Sequence, residues 1–138
     1  MMKVTVDFNE TMPLAGTGKA GHTTLFDTTP EFHGADSASS PMEVMLESLA
    51  ACSMMDIISI LMKKRREVVR LTADVEAERA TEHPKVFTAI RIVYRLRSSD
   101  CPMEDFERSI SLSMDKYCSV TAMLRASGCR VEWSAELA

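Results

Sequence analysis

No excess of basic charge, no closely spaced cysteine pair and no glycine-rich phosphate loop mark this 138-residue chain. Its 16 Lys and Arg stand against 20 Asp and Glu, a formal net charge of −4. That balance lacks the positive footprint that nucleic-acid phosphates demand, so no nucleic-acid partner is expected. The one basic run, Lys63-Lys64-Arg65-Arg66, falls where a helix is expected to end and reads as charge complementing the carbonyl end of its dipole. Gly16, Gly18 and Gly21 spell G-x-G-x-x-G, but they neither follow a strand nor open a helix, as a dinucleotide site requires. The cysteines are far apart, and His22, His33 and His83 occupy loop-like or strand-end positions. The spacing of a zinc site is therefore missing, and no metal or other cofactor is expected.

Other absences bound the setting. Met1 to Phe8 alternate polar and apolar residues, whereas a secretory signal carries a charged head and a continuous apolar stretch. A cytoplasmic location follows as the expectation, with thiols held reduced. The most apolar run, Val44 to Met62, is interrupted by Glu47 and Asp56; it reads as a core helix and not as a membrane span. No internal repeat or low-complexity tract is visible, and the length suits a single domain over residues 1–138.

What is present divides into recognisable elements. Residues 3 to 8 and His22 to Asp27 read as strands, with the glycine-bearing stretch Ala15 to Gly21 turning the chain between them. Thr28 to Ser40 shifts to Pro, Gly, Ser, Asp and Thr and reads as a long loop. Ser40, Pro41 and Glu43 then supply an N-cap, a first-turn proline and a capping-box acid, which starts a helix running to the basic end at Lys63 to Arg66. Val69 to Ala77 and Val86 to Leu96 alternate as two hairpin-related strands around His83, Pro84 and Lys85. Phe106, Ile110 and Met114 mark a second helix opened by Asp100 and Pro102. Tyr117 to Ala126 reads as further helical turns ended by Gly128, and Val131 to Leu137 closes the chain as a strand. This order is not the regular alternation of a doubly wound sheet, so the fold class is α+β.

Chemistry narrows to the cysteines. A free cysteine is by default a small apolar filler, and Cys101 and Cys129 are read that way. Cys52 ends the small-residue run Leu49-Ala50-Ala51, which leaves room at its sulfur. Cys118 sits where one helix breaks and the next begins, where free amides and the helix dipole favour a thiolate. If folding brings these two together, the chain is a dithiol redox enzyme. Five of the eleven methionines, Met42, Met45, Met54, Met55 and Met62, crowd the central helix, as core filler or as an adaptable apolar pocket.

The segments Ser40-Pro-Met-Glu-Val, Leu49-Ala-Ala-Cys-Ser with Asp56, and Lys116-Tyr-Cys-Ser-Val-Thr-Ala-Met-Leu124 resemble the OsmC/Ohr superfamily of thiol-dependent hydroperoxide reductases. The resemblance extends from Gly21-His22 to the closing Val131-Glu132-Trp133 strand. It implies an antiparallel sheet wrapped around central helices in an intertwined homodimer. It further implies that Cys52 attacks an organic hydroperoxide, that Cys118 resolves the sulfenic acid into a disulfide, and that an external thiol or dithiol reduces it again. The family glutamate falls at Met42, with Glu43 one position on, so Glu43 stands between a catalytic role and the capping box. The family arginine has no clear counterpart, Lys19 and His22 being the nearest candidates, and lysine does not reproduce a guanidinium. A non-enzymatic protein binding a small apolar or thiol-reactive ligand is therefore the alternative.

Overall fold

The computed structural model describes residues 1–138 and comprises two compact units, Met1–Met45 and Leu46–Ala138. In the first, β1 (Val4–Asn9), β2 (Thr11–Gly18) and β3 (Thr23–Phe26) form an antiparallel sheet in that order. Strand β2 is not visible in the sequence, because Pro13, Gly16 and Gly18 are residues that weaken a strand. Gly16 has a packing reason: a Cβ there would lie 3.2 Å from the Phe26 ring. The turn is consequently shorter than Ala15 to Gly21; it is closed by the Gly21 N–H donating to the Gly18 carbonyl at 3.0 Å.

The long loop after β3 is organised by a single side chain. Asp27, the only buried residue in this unit, accepts hydrogen bonds from the N–H groups of Thr28 (2.7 Å), Ala35 (3.1 Å) and Ser37 (2.9 Å) and from the Ser37 hydroxyl. A short 3-10 turn, Pro30–Phe32, lies inside the loop. Gly34 is obligatory, since a Cβ would sit 1.9 Å from the Thr28 carbonyl oxygen. No apolar side chain of the unit is buried, and Val4, Val6 and Phe8 of β1 are exposed.

Helix α1 (Pro41–Lys63) begins as the sequence predicts. The Glu43 N–H donates to Ser40 Oγ at 3.2 Å, and the Ser40 N–H donates to Glu43 Oε1 at 3.0 Å. Those bonds hold the Glu43 carboxyl below its ordinary pKa, because they favour its charged form.

In the second unit, α1 buries one stripe, Leu49, Ala50, Ser53, Ile57 and Leu61, whose near-fourfold spacing keeps them on one side. Its other side leaves Ala51, Met55 and Met62 exposed. Helix α1 has 23 residues, and an 18-residue stretch of it reaches a mean hydropathy of 1.8, long and apolar enough to cross a membrane by length and composition. Strands β4 (Arg70–Arg79) and β5 (Phe87–Arg97) pair antiparallel, and β6 (Arg130–Leu137) joins β5 in parallel. The α+β class holds, with a mixed sheet here. Ile90, Ile92, Tyr94 and Leu96 form the buried face of β5, the alternation expected of a half-covered strand.

Helix α2 (Met103–Leu112) buries Phe106, Ser109 and Ile110. A single π turn, Ser113–Tyr117, leads from it into α3 (Ser119–Ala126). The basic run after α1 does more than complement a dipole: Lys64 Nζ and Arg66 Nε reach the Asp105 carboxylate at 3.1 and 2.9 Å, fastening the end of α1 to α2. Both cations hold that carboxyl below its usual pKa.

Candidate active site

The π turn fixes where Cys118 stands. Its N–H donates to the Ser113 carbonyl at 2.7 Å, the five-residue reach that defines such a turn and that recurs at functional sites. Cys118 then caps α3, its Sγ accepting the Thr121 N–H at 3.4 Å. The break after Tyr117 read from sequence is therefore present. The turn is held from both sides: the Ser113 hydroxyl donates to Asp56 Oδ2 of α1 at 2.8 Å, with the Ser53 carbonyl 3.3 Å away. Arg125 Nη1 donates to the Met114 carbonyl at 2.9 Å, and its Nη2 donates to the Val131 carbonyl at 3.1 Å.

Cys52 lies in mid-helix, remote from either end of α1 and so without help from the helix dipole. Its thiol is close enough to that of Cys118 to act on it electrostatically. The structure thus brings together the two cysteines singled out from sequence, separated by 65 intervening positions. They differ in access: Cys52 is half-buried, whereas Cys118 is 3% exposed. Burial pushes the Cys118 thiol above its ordinary pKa, the Thr121 hydrogen bonds pull it back, and the adjacent Cys52 sulfur pushes it up again. At neutral pH Cys118 is accordingly a thiol, not a thiolate. No cation is among the groups acting on it.

Behind the pair lies a set of buried hydroxyls. Ser53, next to Cys52, has its Oγ 2.9 Å from the Ala50 carbonyl and 2.6 Å from the Tyr94 hydroxyl, to which it can donate. Tyr94 reaches Met114 Sδ at 3.5 Å, and Thr121 Oγ1 meets the same sulfur at 3.5 Å. Ser53, Tyr94, Ser113 and Thr121 are all 0% exposed. Sequence reasoning passed over them; the signal was a hydroxyl interrupting an apolar face, as Tyr94 does among Ile90, Ile92 and Leu96.

The remaining candidates are placed differently. Cys101 and Cys129 are buried, raised in pKa chiefly by burial, and directed at neighbouring carbonyls of Pro102 (3.5 Å) and Arg130 (3.7 Å). Glu43 closes its capping box in the first turn of α1. Lys19 and His22 are exposed at the turn between β2 and β3.

Comparison with known proteins assigns the chain to a family. Residues 34–134 match the model of the OsmC-like protein family. The chain belongs to the OsmC-like family. Among its OsmC-like relatives, Protein YhfA of Escherichia coli strain K12 is 35% identical over 123 residues, covering 89% of each chain. A hypothetical protein of Aquifex aeolicus superposes with a TM-score of 0.81 at 26% identity, over 100% of this chain and 98% of the other. The organic hydroperoxide resistance protein OhrB of Bacillus subtilis shares the fold at a TM-score of 0.60 and 16% identity, over 100% and 98% of the two chains.

Proposed function

We propose that this OsmC-like protein reduces organic hydroperoxides with Cys52 and Cys118, protecting against oxidative stress in the cytoplasm. The observation that carries the reading is the neighbouring thiol pair in which Cys52 is the more accessible member. The Cys52 sulfur attacks the outer peroxide oxygen, and the O–O bond breaks. The departing alkoxide takes the thiol proton and leaves as an alcohol, while Cys52 becomes a sulfenic acid. Cys118 then displaces its hydroxyl, giving a disulfide and water, and an external thiol or dithiol restores both cysteines.

We assign this work to a homodimer. The first unit buries no apolar side chain of its own, while Val4, Val6 and Phe8 on β1 and Met55 and Met62 on α1 are exposed. Sedimentation velocity tests this, and a monomer at micromolar concentration would refute it.

The enzymatic reading is tested by following cumene hydroperoxide consumption with a dithiol reductant. Cys52→Ser is expected to abolish turnover, and Cys118→Ser, mixed with peroxide without reductant, to consume one equivalent with sulfenic acid accumulating. Wild-type consumption no faster than that of Cys52→Ser would remove the proposal. A binding protein for a small apolar or thiol-reactive ligand is the second reading, favoured by the want of a cation acting on Cys118. It requires that a folded Cys52→Ser, Cys118→Ser double variant still bind its ligand.

A further inference from the structure

We propose that Tyr94 is a positioning residue for disulfide closure, holding the Cys118 sulfur against Cys52 through Met114 and Thr121. The inference builds on the two-cysteine reading but asks a separate question, namely what keeps the two sulfurs within reach of each other.

The geometry is a continuous bridge. It begins at Ser53, adjacent to Cys52, whose Oγ lies 2.6 Å from the Tyr94 hydroxyl. From there Tyr94 reaches Met114 Sδ at 3.5 Å, and Thr121 Oγ1 touches that sulfur at the same distance. The bridge ends where the Thr121 N–H donates to Cys118 Sγ at 3.4 Å. Each element that bears a thiol is therefore gripped from the sheet by one phenol on β5. Apolar packing alone has no directional preference and leaves a side chain free to slide, whereas a buried hydrogen bond fixes orientation. A disulfide forms only within narrow limits of separation and torsion, so small displacements of Cys118 tell on the rate. Burying a phenol where phenylalanine would fill the space is costly unless its hydroxyl is bonded; here it contacts polar partners on two different elements. Tyr94 and Cys118 also interact electrostatically, adding to the burial that pushes the phenol up to about 12. Tyr94 thus stays protonated and able to donate throughout the working range.

Closure can be measured without a peroxide. Glutathione disulfide exchanges with the Cys52 thiol to give Cys52–S–S–glutathione and free glutathione. Cys118 then attacks the Cys52 sulfur, forming the intramolecular disulfide, and the second glutathione leaves with the Cys118 proton. The wild-type protein and Tyr94→Phe, with matching circular dichroism, are mixed with glutathione disulfide, quenched in acid and resolved by mass spectrometry. The expected result is closure slowed about tenfold in Tyr94→Phe, the fold-change that about 1.4 kcal/mol of lost alignment gives. The mixed disulfide at Cys52 accumulates, because the loss falls on the second step. Should Tyr94→Phe fail to fold, Met114→Leu carries the same test, since it removes the sulfur that joins Tyr94 to Thr121 and keeps both Thr121 groups beside Cys118. A pH series separates positioning from electrostatics: in the variant the closure plateau falls while its midpoint stays with Cys118. Closure as fast as wild type in both variants would overturn the inference, and so would a wild-type protein that never closes. If closure behaves as expected but no hydroperoxide is consumed, the proposed reaction fails and the positioning role stands.

Discussion

Removing the Ser113 hydroxyl should loosen the turn that presents Cys118, and the structure sets the size of the effect. Ser113 is 0% exposed, and its hydroxyl donates to the Asp56 carboxylate at 2.8 Å. A hydrogen bond to a charged group contributes about 1.5–3 kcal/mol, more when truncation strands a buried partner. Asp56 is half-buried, so water recovers part of that loss and Ser113→Ala should cost about 1–2 kcal/mol. For a chain of this length the melting temperature would fall by roughly 3–8 °C. Urea unfolding of Ser113→Ala, Asp56→Ala and the double variant, at one protein concentration, isolates the pair. The expected coupling is about 1 kcal/mol, with the second substitution costing little once the first is made. A coupling below about 0.3 kcal/mol would show the two sites to be independent and refute the argument that Asp56 anchors the turn.

Three further outcomes are expected. The Asp27 carboxyl is held well below its usual pKa by the Ser37 hydroxyl and three backbone N–H groups; its contribution is therefore complete above the unfolded value of about 3.9 and is lost as pH falls toward the folded one. In Asp27→Asn, limited proteolysis between Thr28 and Ser40 should speed up at pH 7, and the acid-dependent part of the unfolding curve should shrink, leaving the share of Glu43 and Asp105. Iodoacetamide at pH 7 should label Cys52 ahead of Cys118, and Cys118 labelling should rise only as pH passes the ordinary thiol value, because burial raises that group; equal rates at both sites, read by peptide mass spectrometry, would contradict this. Phe106→Ala, at a position with no exposure, should cost about 3–5 kcal/mol in thermal or urea unfolding.

The sequence was most legible where a local rule and the final fold ask for the same residues. Ser40, Pro41 and Glu43 name the start of α1 because capping is decided within four positions, and the alternation in β4 and β5 survives because one face of each strand is covered. Strand β2 was hidden for the opposite reason: Gly16 reads as a turn residue, yet it is there to admit the Phe26 ring from a neighbouring strand, a demand that only tertiary structure makes. The membrane-like composition of α1 also misled about its burial, since hydropathy counts every side of a helix whereas this unit covers one stripe. At the site, Cys52 and Cys118 stood out through their neighbours, but Asp56 signified no more than a charge in an apolar run until Ser113 was seen against it.

The buried hydroxyls explain why so apolar a core carries so many polar side chains near two sulfurs. Ser53, Ser109, Ser113 and Thr121 have no exposure, yet no buried side-chain oxygen or nitrogen lacks a partner. Replacing them by alanine or valine would raise apolar burial and remove the need to satisfy them, so stability alone does not account for their presence. Ser109 bonds only its own helix, at the Phe106 carbonyl 2.6 Å away, and is a local cap on a backbone acceptor. Ser53, Ser113 and Thr121 instead flank the thiols and bond across elements, Ser53 to Tyr94, Ser113 to Asp56 and Thr121 to Met114. An unpaired thiol in an apolar cavity turns freely and stays protonated. A thiol capped by an amide and backed by directional bonds is restrained in orientation, which the proposed disulfide chemistry requires.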